Sequence, residues 1–182
     1  MALPPARGAA AIVSGSCSQA TNRQVADFVA RGGAAFAVDP LVASRGADVA
    51  AEALAWARER LDEHPRRPVL VHSTAAPEAV RAVQQRLGID AGGALVEGVL
   101  AAVARGLVGA VDVGRLVVAG GETSGACVQA LGIERLRIGP QIDPGVPWCH
   151  AATADGPAVH IALKSGNFGG DDFFTRAFSV LD

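Results

Sequence analysis

Leu116-Val117-Val118-Ala119 is an apolar, β-branched run that passes without a break into Gly120-Gly121-Glu122-Thr123-Ser124-Gly125. A run this short, apolar at every position, belongs in a strand covered on both faces. Ala126, Val128, Ala130 and Leu131 then follow at helix-compatible spacing, and Gly132 supplies a helix stop. The order strand, glycine turn, helix restricts the chain to a βα unit of a parallel sheet. In such a turn the backbone N–H groups can face an anion, and the helix dipole adds to the attraction. Thr123 or Ser124 can cap the helix or bind a phosphate oxygen. Taken alone, the segment fits equally a tight turn with no ligand, because glycine turns are common where strands meet helices.

The same alternation runs along the chain. Ala9 to Val13 reads as a strand leading into the small-residue turn Ser14-Gly15-Ser16-Cys17-Ser18. Thr21 with Gln24 three residues on resembles a capping box, and Val25, Phe28 and Val29 give the next helix its apolar face, ended by Gly32-Gly33. Ala34 to Val38 is a second strand, closed by Asp39-Pro40. The spacing of Val49, Ala53, Leu54, Ala57 and Leu61 predicts a helix over about residues 46–63, broken at His64-Pro65. Val69-Leu70-Val71 is a third strand, and Pro77 to Leu87 a helix stopped by Gly88. Leu95, Val99, Leu100, Val103 and Leu107 mark a helix over about 91–107. Leu136-Arg137-Ile138 is a short strand. Val146 to Ala151 and Val159 to Leu163 flank the turn Ala154-Asp155-Gly156-Pro157, a β-hairpin in which His150 and His160 face each other or solvent. Asp171 to Leu181 predicts a final helix, with two acids in its first turn complementing the dipole.

This pattern predicts an α/β fold: a three-layer sandwich with a mostly parallel sheet, helices on both faces and a C-terminal β-hairpin. The composition agrees. Half of the 182 residues are apolar, only 4% are aromatic, and tyrosine is absent, so the core must be Val, Leu, Ile and Ala. Residues 1–8 read as a linker or boundary segment and 9–182 as one domain. No apolar run approaches the roughly 18 residues of a membrane span, and the first residues lack the hydrophobic stretch of a signal peptide. The net charge of −2 favours neither nucleic acid nor another polyanion as partner. Cys17, Cys127 and Cys149 are odd in number and lack metal spacing, which points to a reducing cytoplasm.

Ligands of parallel sheets gather beyond the carboxyl ends of the strands. Three small-residue turns occupy such ends: Ser14 to Ser18, Gly120 to Gly125, and Ser165 to Gly170. The third opens with Lys164, the one lysine beside fifteen arginines. A lysine ammonium is a compact point charge that can follow a phosphate, where guanidinium is a rigid fork. The plainer alternatives are a solvated lysine, or one paired with Glu122 or Asp171.

Several motifs are absent. There is neither a P-loop nor a G-x-G-x-x-G fingerprint, and no residue group has zinc spacing. Ser14, Ser16 and Ser18 are candidate nucleophiles without a G-x-S-x-G elbow. His72, at a strand end, is the one general base on offer, although a lone histidine there is more often structural.

The motifs that remain carry a resemblance. Val13-Ser14-Gly15-Ser16-Cys17-Ser18 with Thr21 and Gln24, then Val117 through Gly125, then Pro144-Gly145-Val146-Pro147, then Lys164-Ser165-Gly166-Asn167-Phe168-Gly169 resemble the C-terminal nucleotide-binding domain of the four-carbon acid sugar kinases. The Gly-Gly-Glu-Thr-Ser-Gly form is most similar to the 3-oxo-tetronate kinase branch. The resemblance implies an ATP site with Mg²⁺. Ser14 and Ser16 would lie near the nucleotide, and Gly120, Gly121, Glu122 and Thr123 would wrap it. Gly166, Asn167, Phe168 and Gly169 would close the other side; Lys164, at the entrance to that turn, is a phosphate candidate from its own position and charge. Glu122 would hold a metal-bound water or simply start a helix. The resemblance supplies no catalytic base and no direct metal ligand in this chain. It further implies an acid-sugar-binding N-terminal domain as partner, in the same chain or as a separate one. ATP and ADP are the expected ligands, nucleic acid and membrane are not expected as partners, and a homodimer is left open. The competing readings are a non-catalytic nucleotide-binding or interaction domain of the same fold, and a small hydrolase using Ser14 or Ser16 with His72.

Overall fold

The computed structural model describes residues 2–181. Seven strands form one sheet: β1 (Ala9–Ser14), β2 (Ala34–Ala37), β3 (Val69–His72), β4 (Val113–Ala119), β5 (Arg137–Asp143), β6 (Val146–Ala151) and β7 (Val159–Lys164). Their order is β2-β3-β1-β4-β7-β6-β5. The first five in that order are parallel, and β6 and β5 extend the sheet antiparallel to their neighbours. The expected hairpin is β6–β7, with Trp148 opposite Ala162 and Ala151 opposite Val159.

Strand residues alternate between the two faces. Ala11, Val13, Val69, Val71, Leu116, Val118 and Ile161 join one core; Ala10, Ile12, Leu70, Val117 and Ala162 join the other. The first core is covered by α2 (Pro40–Ser44), α3 (Val49–Glu63), α5 (Ile89–Ala110) and α6 (Gly121–Ala130). The second is covered by α1 (Gln19–Ala30), α7 (Phe173–Arg176) and a 3₁₀ turn at Ala177–Val180. The remaining helix, α4 (Pro77–Leu87), leans on α5 without a fully buried residue. The three-layer α/β expectation therefore holds.

Several boundaries differ from the sequence reading. Asp39 does not merely close β2: its carboxylate accepts from Leu41 N, and with Pro40 in the first turn it starts the short helix α2. The helix expected from residue 46 begins at Val49, where Asp48 caps it. The capping residue of α1 is Ser18 rather than Thr21, because Ser18 Oγ accepts from Thr21 N at 3.1 Å. Strand β5 runs on through Gly139-Pro140 to Asp143, which an edge strand tolerates. The final segment makes only one α-turn and one 3₁₀ turn. Phe173, Phe174 and Phe178 are all buried, and Trp148 Nε1 donates to the Ala177 carbonyl at 2.8 Å, so packing sets the path of this segment. His150 and His160 do face each other, with ring centroids 4.9 Å apart.

One sequence reading needs correction. Helix α5, with 22 residues, is long and apolar enough by length and composition to cross a membrane. Asp90, Glu97 and Arg105 interrupt its apolar residues, so no unbroken apolar run marks it in the sequence. In the fold α5 packs between α3 and α6, and Leu100, Val103, Ala104 and Leu107 are fully buried, as in the core helix of a sandwich.

Candidate functional site

The sheet delivers three loops to one place. Strands β1, β4 and β7 are adjacent and parallel, so Ser14, Ala119 and Lys164 end side by side. Backbone hydrogen bonds then join the loops that follow. Gly15 N and Ser16 N both donate to Ala119 O, at 2.9 and 3.2 Å, and Gly120 N donates to Lys164 O at 2.8 Å. The three small-residue turns are thus a single surface.

Glycine is required at the joints. Gly120 has φ +120°, and a Cβ there would sit 3.0 Å from Thr123 Oγ1 and 3.1 Å from Ser16 N. A Cβ on Gly166 would meet Ser16 Oγ at 2.6 Å. Gly121 differs: its φ is not positive, and a Cβ would meet nothing within 4 Å. Gly120 therefore makes the turn, and Gly121 faces open space in front of it.

Gly120 caps α6 without any side-chain acceptor. Neither Thr123 nor Ser124 performs the capping that the sequence allowed. Thr123 is buried against Gly15 and Gly120, and Ser124 Oγ has no hydrogen-bond partner. The N–H groups of Gly121, Glu122 and Thr123 consequently have no partner among the described residues and lie at the positive end of the helix dipole.

Ser16, Ser18 and Thr21 form a hydroxyl cluster facing the third loop. Ser16 Oγ donates to Ser18 Oγ at 3.2 Å. Ser18 Oγ and Thr21 Oγ1 reach the Gly166 carbonyl at 2.7 and 2.9 Å. Ser14 lies deeper: it is 0% exposed, and its hydroxyl shares a 2.7 Å hydrogen bond with Thr74 Oγ1. Asn167 and Phe168 are exposed on the loop, with Gly166 and Gly169 half-buried beside them.

Lys164 is neither solvated nor paired with Glu122 or Asp171. Its side chain is 0% exposed, and Nζ donates to Thr21 Oγ1, Ser165 O and Gly166 O at 3.2, 3.0 and 3.1 Å. All three acceptors are neutral. Burial pulls its pKa from 10.5 to about 8.

The surface has the chemistry of an anion cradle: glycine joints, small hydroxyls and N–H groups at a helix start. The sequence profile described as the nucleotide-binding C-terminal domain matches residues 11–174. The chain belongs to that family. The nucleotide-binding domain is 54% identical over 180 residues to a 3-oxo-tetronate kinase of Burkholderia multivorans, covering 99% of this chain and 40% of that protein. It is 49% identical over 179 residues to a 3-oxo-tetronate kinase of Cupriavidus necator, covering 98% and 40%. The chain thus spans about two-fifths of the length of the curated relatives it matches. A crystal structure of a Haemophilus influenzae protein superimposes with a TM-score of 0.86 at 36% identity, over 100% of this chain and 42% of that one. A Bordetella bronchiseptica domain solved with bound citrate as a domain-swapped dimer shares the fold, with a TM-score of 0.74 at 20% identity over 97% of this chain and 41% of that one.

Among the described residues no group of three or more His, Cys, Asp and Glu side chains could hold an ion. Glu122, exposed in the first turn of α6, stands against Glu97 of α5; burial and then the Glu122 carboxylate raise the Glu97 pKa. A cation beside the two carboxylates would relieve the repulsion between them.

The hydrolase reading loses its geometry. His72 Nδ1 donates to Thr74 O at 3.0 Å, and burial lowers its pKa. No hydrogen bond joins it to Ser14 or Ser16.

Sequence reasoning under-weighted Ser18, Thr21 and Gln24 as members of the site. Their signal was present: a serine before an amphipathic helix, then polar residues at i+3 and i+6, which put two of them on one helical face. Thr74, Asp143 and Glu97 carried no such signal, because only the sheet order and helix packing bring them to the site.

Proposed function

We propose that this domain binds ATP and ADP and forms the nucleotide half of a kinase for four-carbon acid sugars, of the 3-oxo-tetronate or threonate type. The carrying observation is the union of the three turns at the ends of β1, β4 and β7, with the α6 N–H groups unpaired in their midst. In this reading Gly120, Gly121, Glu122 and Thr123 hold phosphate oxygens through backbone N–H groups. Ser16 adds a hydroxyl, and Gly166, Asn167, Phe168 and Gly169 form the opposite wall. Ser14 and Lys164 support this surface from beneath. Phosphoryl transfer is chiefly positioning and electrostatic relief of phosphate charge, which an array of N–H donors with Mg²⁺ supplies.

The acid sugar and the group that deprotonates its hydroxyl belong, in this proposal, to a partner domain in the remaining three-fifths of the relatives' length. The domain-swapped dimer of the Bordetella relative makes a homodimer a further arrangement to test. The cytoplasm is the proposed compartment, and the three free cysteines suit its reducing conditions.

Calorimetric titration of the 182-residue chain with ADP and Mg²⁺ tests the nucleotide assignment. Saturable heat and a thermal shift at millimolar ADP or below are expected; neither appearing would refute it. Mixing the chain with the N-terminal region of a relative and assaying ATP-dependent phosphorylation of 3-oxo-tetronate tests the kinase assignment.

A further inference from the structure

The loop Ser165–Gly170 is held from beneath by two fully buried polar side chains. Lys164 Nζ takes the carbonyls of Ser165 and Gly166. Gln24 Nε2, from α1, takes those of Phe168, Gly169 and Gly170 at 3.0, 3.1 and 3.1 Å. Five carbonyls of one six-residue loop therefore point inward to two donors. Only the NH₂ end of Gln24 can make these bonds, and its Oε1 is left without a partner.

A trans peptide holds its C=O and N–H on opposite sides, and the described residues contain no cis bond. Turning the carbonyls of 165, 166 and 168 inward therefore turns the N–H groups of Gly166, Asn167 and Gly169 outward. None of these three N–H groups donates to another group among the described residues. The next one, Gly170 N–H, is occupied by Asp143 Oδ2 at 3.2 Å, and Arg176 fixes Asp143 in turn. The loop is thus anchored at both ends and along its inner side, with these three donors turned outward.

We propose that Lys164 and Gln24 act together as a buried bracket that shapes this loop into a second set of phosphate-directed N–H donors. Lys164 is a positioning residue in this arrangement and makes no contact with phosphate. The inference rests on the nucleotide reading above for its ligand, while the bracket itself can be judged without one. The ammonium is unopposed by any carboxylate among its partners, so its charge adds to the attraction of the loop for an anion.

Amide NMR of the 182-residue chain provides the test. In the ligand-free protein, Lys164→Met should displace or broaden the resonances of Gly166, Asn167 and Gly169 while leaving those of β1 and β3 in place. In the wild type, ADP should shift the same three resonances and adenosine should not. Lys164→Met should weaken ADP tenfold or more and leave adenosine within twofold. Gln24→Leu gives an independent variant should Lys164→Met not fold, with Gly169 moved most and ADP again weakened selectively. Unmoved loop resonances in the ligand-free variants would overturn the bracket, and if ADP affinity nevertheless falls, Lys164 is a direct phosphate ligand. Equal loss of ADP and adenosine, or moved resonances with unchanged ADP affinity, would overturn the positioning role. A wild-type chain that binds no ADP would refute the nucleotide reading, and the ligand-free spectra would still decide the bracket.

Discussion

Ser18 Oγ donates a 2.7 Å hydrogen bond to the carbonyl of Gly166, 148 residues further along the chain. Through this bond the cap of the first helix also clamps the loop after the seventh strand. Ser18 thus does two jobs with one hydroxyl: it accepts from Thr21 N and donates to Gly166 O.

Ser18→Ala removes both bonds. An N-cap contributes about 0.5–2 kcal/mol and an ordinary hydrogen bond about 0.5–1.5 kcal/mol. The variant should therefore lose about 1–3 kcal/mol in urea denaturation, with its ADP affinity also reduced because the loop is released. A loss below about 0.5 kcal/mol would show that the cap and clamp are dispensable.

Gly120 and Gly121 should respond in opposite ways. Gly120→Ala places a side chain at φ +120° with close contacts to Thr123 and Ser16, so a stability loss of about 1–3 kcal/mol is expected. A Cβ at Gly121 meets no neighbour, so Gly121→Val should leave the melting curve almost unchanged while blocking approach of a ligand to the α6 N–H groups. Thermal denaturation with ADP titration of both variants checks the pair. A stable Gly121→Val variant with wild-type affinity would remove this turn from the site.

Ser14→Ala deletes one half of the buried pair with Thr74. The orphaned threonine hydroxyl should cost about 1–3 kcal/mol of stability. Urea denaturation reads this directly, and the double variant Ser14→Ala with Thr74→Val should recover part of the loss.

The buried ammonium makes stability depend on alkaline pH. Below about pH 8 the folded and unfolded chains both hold the Lys164 proton, and this group contributes no slope. Between about 8 and 10.5 the unfolded chain keeps a proton that the folded chain has released, so unfolding becomes harder as pH rises. The wild type should accordingly gain in urea midpoint over Lys164→Met through that window. The chain has no tyrosine and no second lysine, and the cysteine contributions cancel in the difference between the two proteins. A difference that stays flat with pH would mean that the ammonium is better solvated than its burial implies.

Local chemistry in the sequence determined the element types, the sandwich class and the three turns. An unbroken Leu116-Val117-Val118-Ala119 run can only be satisfied between two helical layers, and Gly120 marks the turn, although the expected turn through Gly125 is shorter because Gly121 to Gly125 already belong to α6. The family was legible for the same reason, since its motifs are those turns. Tertiary structure decided what each side chain does there. The strand order sets β1, β4 and β7 side by side, and no local pattern encodes that order. Lys164 illustrates the difference. From sequence it was open between a phosphate contact, a solvated cation and an ion-pair partner; in the fold its strand register directs it inward, beneath Thr21 and the carbonyls of its own loop. Burial and direction depend on register and on the neighbours that register brings, so the partners of Lys164, Ser14 and Gln24 became visible only once the sheet was assembled.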